Sequence, residues 1–174
     1  MTRARRAEPA DTDAVRGVLT AALLEPPPSL ADAVAAGQVH VVGGGPDGTH
    51  DADPTTRVVG CLVRLAPART PDAERVAACV ETLDPTRRPF DPEGWRDRTA
   101  ATHVDSVAVT RGRRGDGVGT TLVEAAADAA GLTACPLTVA FRPAVAPFYE
   151  SLGFSVVSPP DGERLVGWRP ADDG

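Results

Sequence analysis

The spacing of apolar side chains along this chain switches several times between a helical period and a strand period. In five segments, apolar residues recur every three or four positions, which is typical of helices that bury one face. The first of these follows a Pro-Ala-Asp-Thr entry, where Asp11 or Thr12 is the expected helix cap. The pattern predicts helices over residues 11–23, 30–36, 73–83, 117–130 and 143–152.

Short runs rich in valine and other β-formers lie between these helices, and each is bounded by Gly, Pro or Asp. They have the length of ordinary strands. Strands and helices therefore interleave along the chain, and the pattern predicts the α/β (α+β) class. The predicted strands cover residues 3–7, 39–42, 57–65, 103–109, 137–141, 154–157 and 164–168.

Two stretches interrupt this order. Residues 43–56 are polar and rich in glycine, which predicts a mobile hairpin connection between two strands. Residues 66–101 contain five prolines and form an insertion. This insertion is either a surface connection or an element that covers a substrate, and the sequence leaves both readings open. The chain has 174 residues, no internal repeat and no linker, so we expect a single domain over residues 1–174.

Composition excludes several classes of function. The formal net charge is −6 and only 4% of residues are aromatic, which argues against a nucleic-acid partner and permits a cationic substrate. The three cysteines show no metal-ligand spacing, and Cys61 and Cys135 lie in apolar runs, so we expect reduced thiols, no metal and a cytoplasmic location. No segment has the apolar length of a signal core or a membrane span.

The chemistry is concentrated in a loop that follows the predicted strand 103–109. Residues 111–119 read Arg-Gly-Arg-Arg-Gly-Asp-Gly-Val-Gly and lead directly into a helix. Glycines let an anion approach the backbone amides, and the helix start supplies unpaired N–H groups. The loop lacks the Gly-Lys-Ser/Thr of a Walker motif, and its Gly-x-Gly-x-Gly spacing differs from the dinucleotide fingerprint. By physics alone it is a diphosphate site, and a glycine-rich turn without a ligand remains the alternative.

Two motifs together resemble the GNAT acetyltransferase superfamily. Residues 114–119 match the family loop Arg/Gln-x-x-Gly-x-Gly/Ala, and residues 148–154 match its second signature, Phe-Tyr-x-x-x-Gly-Phe. The strong resemblance covers about residues 104–154, and the order of elements agrees over most of the chain. It implies a mixed, mostly antiparallel sheet of six or seven strands, flanked by helices, whose splayed central strands hold acetyl-CoA.

The resemblance also implies how the cofactor is held. Backbone amides of the loop would bind the pyrophosphate, and the backbone of the strand before it would pair with the pantetheine arm as an added strand does. The implied cofactor-binding residues are Val107, Ala108, Val109, Arg114, Gly115, Asp116, Gly117, Val118, Gly119 and Thr120.

For the chemistry, the resemblance implies that Tyr149 protonates the departing CoA thiolate; the alternative is a core aromatic residue. The base is less defined. Asp105 lies where many relatives carry a glutamate and would act through water, while His103 or water alone are alternatives. The chain departs from the family at Arg142, where relatives often carry asparagine; this arginine could bind a cofactor phosphate or an acceptor carboxylate.

The sequence therefore predicts an N-acetyltransferase that moves an acetyl group from acetyl-CoA to a primary amine of a small molecule or a protein. A CoA-binding relative without transfer activity, serving as a sensor or an assembly partner, is the alternative. Asp91, Glu93 and Trp95 in the insertion are candidates for an acceptor pocket. Homodimers are common in this family, and the sequence does not choose an oligomeric state.

Overall fold

The computed structural model of the protein describes residues 3–44, 50–51, 57–160 and 162–171. The chain forms two compact units. The first unit comprises Met1–Arg64 and Ser106–Ala126, and the second comprises Leu65–Asp105 and Ala127–Gly174.

The helices of the described chain agree with the apolar pattern to within about two residues at most ends. Short 3₁₀ turns precede several of them, and proline occupies the first position of four of these turns, where its missing N–H costs no hydrogen bond. The helices are α1 (Thr12–Ala21), α2 (Leu30–Ala35), α3 (Ala73–Glu81), α4 (Pro92–Arg96), α5 (Val118–Gly131) and α6 (Ala146–Ser151).

The strands form one mixed sheet in the order β1-β2-β4-β5-β6-β8-β7, and β3 pairs with β2 outside this path. Strands β5 and β6 are parallel, whereas β2 and β4, β6 and β8, and β7 and β8 are antiparallel. This open sheet with flanking helices confirms the predicted fold class. The strands are β1 (Arg5–Arg6), β2 (Val39–Gly44), β3 (His50–Asp51), β4 (Val58–Leu65), β5 (His103–Val109), β6 (Leu137–Phe141), β7 (Ser155–Val157) and β8 (Leu165–Arg169).

In the first unit, β4 determines how closely α5 approaches the sheet. Every residue of β4 is buried, as expected for a strand covered on both faces. A Cβ at Gly60 would lie 2.5 Å from Cγ1 of Val118 and 3.2 Å from Cδ1 of Leu122. Glycine at this position therefore lets the first turn of α5 rest directly on β4.

In the second unit, the proline-rich insertion is largely ordered structure. It contains α3 and α4, and the apolar face of α3 packs through Val76 and Cys79 against Trp95 and against Val166 of β8. The Trp95 side chain is 1% exposed, and its ring stacks on Phe90 at a centroid distance of 5.5 Å. The insertion thus supplies part of the core of this unit.

The expected cap of α1 is confirmed in position but not in its hydrogen bond: Asp11 is the N-cap residue, and its side chain makes no capping bond to α1. Neither Asp11 nor Thr12 caps α1 with its side chain: α1 begins at Thr12, and the Asp11 carboxylate accepts two hydrogen bonds from Arg5, at 2.7 and 3.0 Å, and one from the Glu8 amide at 2.8 Å. A guanidinium group that reaches both carboxylate oxygens is a stronger partner than a single amide at the helix start. Asp11 therefore ties β1 to the turn before α1.

The predicted hairpin connection over residues 43–56 is wrong at two places. Strand β2 continues to Gly44, and His50 and Asp51 pair back with it in the register Gly44↔His50 and Gly43↔Asp51. Backbone hydrogen bonding does not require apolar side chains, so the apolar pattern could not reveal this pairing. The rest of the predicted connection, residues 45–49 and 52–56, lies outside the described residues.

We expect Gly60→Ala to lower the free energy of unfolding by about 1–3 kcal/mol, because the new methyl group must displace the stiff Val118 side chain or move α5. Urea denaturation followed by circular dichroism measures this change. Gly17→Ala is the matched control: Gly17 is exposed in α1, an added Cβ there meets nothing within 4 Å, and alanine favours the helix. Equal stability of Gly60→Ala and the wild type would contradict the packing argument.

Candidate functional site

The glycine loop, residues 114–119, lies in the first unit between β5 and α5. Gly115 and Gly117 have φ values of +90° and +77°, which side chains with a Cβ rarely adopt. A Cβ at either position would meet nothing within 4 Å. The backbone conformation, and not a lack of space, therefore requires glycine here, and the surface next to the loop is open.

Hydrogen bonds fix the loop at both ends. The Thr110 amide donates to the Val59 carbonyl of β4 at 2.8 Å, and Nε of Arg114 donates to the Val109 carbonyl at 3.3 Å. On the helix side, the Thr121 amide and hydroxyl both donate to the Gly117 carbonyl, at 3.0 and 3.2 Å. The exposed turn is thus held in one conformation before any ligand arrives.

This arrangement is suited to an anion. The first N–H groups of an α-helix lack intrahelical partners and carry the positive end of the helix dipole. Helix α5 is 14 residues long, and three arginines, at positions 111, 113 and 114, lie just before it. The amides of residues 115–120 could hold a diphosphate, and the open space around Gly115 and Gly117 would let it come close.

The strand that leads into the loop presents two different faces. Val104, Ser106 and Ala108 are buried, while Asp105, Val107 and Val109 are only half-buried. The residues predicted to pair with pantetheine through their backbone, 107–109, therefore belong to the first unit and directly precede the loop. Their cofactor contacts stay a prediction, as does the role of Asp105 as base.

Tyr149 lies on α6 in the second unit, inside an aromatic cluster. Its side chain is 6% exposed, and its ring stacks on Phe141 of β6 with a centroid distance of 4.5 Å. Phe148 and Phe154 meet the same ring edge-on at 5.1 and 5.3 Å. Burial raises the pKa of the Tyr149 phenol well above its ordinary value, and the positive charge of Arg164 partly offsets this rise. The phenol is thus rigidly held and keeps its proton at neutral pH.

His103, the alternative base, is fully enclosed by protein groups. Its Nδ1 lies 3.0 Å from the Thr138 hydroxyl, and its Nε2 lies 3.8 Å from an Asp72 carboxylate oxygen. Trp95 packs edge-on against the imidazole at 6.3 Å, and the side chain is 0% exposed. Because neither ring nitrogen faces solvent, this position argues against a direct encounter between His103 and an amine substrate.

The sequence analysis missed the Asp72 cluster, which we define as Asp72, Arg75, His103, Thr138 and Arg164. Nη1 of Arg164 lies 3.1 and 3.2 Å from the two carboxylate oxygens of Asp72, and Arg75 donates to one of them at 2.9 Å. Burial opposes ionisation of Asp72, but the neighbouring His103 and the arginine charges outweigh it, so the pKa of Asp72 lies below its ordinary value. Asp72 and Arg164 are 92 positions apart, and no local pattern joins them.

The remaining candidates have simpler environments. Asp91 and Trp95 serve the fold: the Asp91 carboxylate accepts from the Gly94 amide at 2.9 Å at the start of α4, and Trp95 belongs to the core. Glu93 is exposed. Arg142 is also exposed: its carbonyl accepts from the Val145 amide at 3.1 Å, while its side chain makes no hydrogen bond or ion pair within the part of the chain that the structure describes.

Three further findings bear on the predicted chemistry. Within the described residues, no group of three or more His, Cys, Asp or Glu side chains could hold a metal ion. The three cysteines are free and buried, and burial raises the pKa of the Cys61 thiol to about 12. A search of the same residues for a helix with the length and hydropathy to cross a membrane finds none.

Asp72→Asn tests the cluster through the pH dependence of stability. The pKa of Asp72 is lower in the folded chain than its ordinary value of 3.8, so its stabilisation is complete above pH 3.8 and is lost as pH falls through the folded pKa. We expect the variant to be less stable by about 1–3 kcal/mol at neutral pH, because two arginines lose their carboxylate.

The measurement is urea denaturation of both proteins over a pH series that extends below 3.8. The difference in stability should shrink at the acidic end. Glu74→Gln is the control: this side chain on α3 is 82% exposed, and we expect a change within about 0.5 kcal/mol. A difference between Asp72→Asn and the wild type that does not vary with pH would contradict an ionised Asp72 in the fold.

Comparison with known proteins shows that part of the chain is similar to a known protein family. Residues 73–156, just under half of the chain, match the acetyltransferase (GNAT) domain. No curated protein matches the chain. Among solved structures, the yncA protein of Salmonella typhimurium, described with its cofactor acetyl-CoA, is 17% identical with a TM-score of 0.57, over 100% of this chain and 96% of that one.

Two other solved structures are similar at comparable levels. The ribosomal-protein-S18-alanine N-acetyltransferase of Escherichia coli is 13% identical with a TM-score of 0.57, over 100% of this chain and 96% of that one. A GNAT-like decarboxylase in complex with isobutyryl-CoA is 15% identical with a TM-score of 0.58, over 97% of this chain and 99% of that one. Identities this low show a shared fold. Together with the match over residues 73–156, they confirm the resemblance to the GNAT acetyltransferase superfamily that the two sequence motifs indicated.

Proposed function

We propose that this protein transfers an acyl group, normally acetyl, from acetyl-CoA to a primary amine by direct attack. The observation that carries the proposal is the glycine loop, because Gly115 and Gly117 adopt left-handed conformations at the start of α5, within a sequence that matches the family's pyrophosphate loop. The family match supports acyl transfer in general. We infer the acceptor and the role of each residue from the geometry of the site and the resemblance to the family.

The cofactor is assigned to main-chain groups. The amides of residues 115–120 would hold the pyrophosphate, with Arg114 and its neighbouring arginines supplying positive charge. The backbone of Val107, Ala108 and Val109 would pair with the pantetheine arm as a strand does. This assignment requires no particular side chain at those three positions, which agrees with their small apolar residues.

The reaction needs one proton to leave the amine and one to reach the sulfur. A neutral amine attacks the thioester carbonyl, the C–S bond of the tetrahedral intermediate breaks, and the Tyr149 phenol donates its proton to the departing thiolate. The amine proton passes to Asp105 through water, or to water itself. The Tyr149 phenol carries a proton at neutral pH, as the donor role requires, and its burial makes it a weaker acid than a free phenol.

The acceptor is proposed to be the amine of a small molecule or of a protein. The net charge of −6 favours a cationic substrate, which must lose a proton before it attacks. Free, buried cysteines support a reducing, cytoplasmic location. The exposed side chain of Arg142, which has no partner among the described residues, is available for a cofactor phosphate or for a carboxylate on the acceptor.

A second candidate is a CoA-binding protein without transfer activity. Arg142 in place of the family's usual asparagine favours it, as does the absence of an established base. The GNAT-like decarboxylase has the same fold, so this fold also accommodates other acyl-CoA chemistry. The two candidate functions predict different turnover of acetyl-CoA but the same affinity for it.

Gly117→Val tests the cofactor site. A β-branched residue at φ +77° costs roughly 1–3 kcal/mol of backbone strain, so we expect at least about a tenfold loss of acetyl-CoA affinity by isothermal titration calorimetry. Gly112→Val is the matched control, because Gly112 lies in the adjacent turn, has open space around it and has no positive φ. Undiminished binding by Gly117→Val would show that the pyrophosphate lies elsewhere.

Tyr149→Phe tests the donor. Thiol release from acetyl-CoA is first measured with a panel of primary amines, and turnover on any of them favours transfer over the inactive alternative. With the best amine, the variant should lose roughly 10²-fold or more in kcat and keep its acetyl-CoA affinity, since only the hydroxyl is removed from the aromatic cluster. Unchanged kcat would remove Tyr149 from the donor role.

A further inference from the structure

Arg164 is held at one place in the second unit by two neighbouring elements. Its Nη1 lies 3.2 and 3.1 Å from the two carboxylate oxygens of Asp72, and its Nη2 donates to the Ala140 carbonyl of β6. Strand β8 begins one residue after Arg164, and Val166 pairs with Ala140 in the β6–β8 ladder. The planar guanidinium is therefore fixed between the segment that precedes α3 and the sheet.

The Asp72 cluster contains two guanidinium groups, those of Arg75 and Arg164, around one carboxylate. The carboxylate of Asp72 is 7% exposed and the Arg164 side chain is 38% exposed, so water screens part of the arginine's charge. The guanidinium of Arg164 also bonds to the Ala140 carbonyl of β6.

The positive charge of Arg164 affects the pKa of Tyr149. Ala140, the carbonyl partner of Arg164, directly precedes Phe141, whose ring stacks on Tyr149 at 4.5 Å. Arg164 is the charged group that acts on the phenol, and it lowers the pKa of Tyr149 against the larger effect of burial. Arg164 is thus bonded to the main chain of the residue before Phe141, and its charge favours the phenolate of Tyr149.

We propose that Arg164 is a positioning residue for proton transfer: its guanidinium, oriented by Asp72 and Ala140, stabilises the phenolate that forms when Tyr149 gives its proton to the CoA thiolate. In this step the O–H bond of Tyr149 breaks and an S–H bond forms. The negative charge moves from sulfur to the phenolate oxygen. The phenolate recovers a proton from solvent, which has received the proton released by the amine. The inference depends on the donor role proposed for Tyr149.

The two terminal nitrogens of the Arg164 guanidinium bind different partners. One nitrogen binds the carboxylate and the other binds a backbone carbonyl, so the charge is fixed in direction as well as in distance. A lysine would keep the charge but could not hold both partners in this geometry. Arg164→Lys should therefore restore part of the effect that Arg164→Gln removes.

The test uses the fact that Tyr149 is the only tyrosine of the chain. A fluorinated tyrosine with a more acidic phenol, incorporated biosynthetically, can be titrated by its absorbance, and the signal comes from this position alone. We expect Arg164→Gln to raise the phenol pKa by about one unit, with a smaller rise in Arg164→Lys. Arg75→Gln is the matched control, since it also removes a guanidinium from Asp72 but leaves the one next to Ala140.

Kinetics of the unlabelled protein give the second measurement. A less stabilised phenolate makes a weaker acid, so Arg164→Gln should lower kcat about tenfold and move the alkaline limb of its pH profile to higher pH, with unchanged acetyl-CoA affinity. Arg164→Lys should recover part of the rate, and Arg75→Gln should resemble the wild type in both measurements.

The outcomes separate this inference from the proposed function. An unchanged phenol titration in Arg164→Gln, or equal shifts in Arg164→Gln and Arg75→Gln, would overturn it. If Arg164→Gln does not fold, the same comparison is made between Arg164→Lys and the wild type. A shifted titration together with full activity of Tyr149→Phe would overturn both the inference and the donor role of Tyr149. Loss of activity in Tyr149→Phe, with an unchanged phenol titration and unchanged kcat in Arg164→Gln, would overturn the inference alone and leave the proposed function intact.

Discussion

The close contact between β4 and α5 at Gly60 is the constraint on which the candidate cofactor site depends. A helix that starts against a sheet without an intervening side chain has its first turn fixed in depth and direction. The unpaired amides at the start of α5 are therefore aimed by packing, through Val118 and Leu122, and not by the loop itself. The left-handed glycines at 115 and 117 then need only join the end of β5 to a helix whose position is already set.

A different physical effect organises the second unit. Its insertion carries Asp72, whose buried carboxylate faces two half-buried arginines and an enclosed histidine. Burying these charges costs solvation, and only a complete set of partners offsets that cost. Because the partners come from α3, β5 and the start of β8, the cluster joins the insertion to the strands that carry Phe141 and the aromatic cluster around Tyr149.

The features that sequence reasoning predicted are those with local causes. The glycine loop and the helix after it follow from neighbouring residues, and α3 and β6 begin where the apolar pattern places them. Asp11 does not cap α1 with its side chain because its carboxylate binds a guanidinium that folding brings near, that of Arg5. The β2–β3 pairing was missed because main-chain bonds leave no apolar signal.

For a similar reason, the Asp72 cluster could not have been predicted from the sequence. Its members are spread over four distant segments, and each looks alone like an ordinary surface charge or a strand residue. In the same way, the sequence pointed to Tyr149 by its motif but contained no sign of Arg164, whose effect on the phenol exists only after β6 and β8 pair.

In the proposed enzyme, cofactor binding and proton transfer depend on different features of the chain. Cofactor binding by main-chain amides tolerates almost any side chain, so it survives as a short motif of glycines. Proton transfer depends on the relative energy of a phenol and its phenolate, which burial raises and a fixed cation lowers. Chains that share this fold and its loop can therefore differ in reaction when the charges around the aromatic cluster differ. In this protein, Arg164, paired with Asp72, is the cation that would lower that energy against the larger effect of burial.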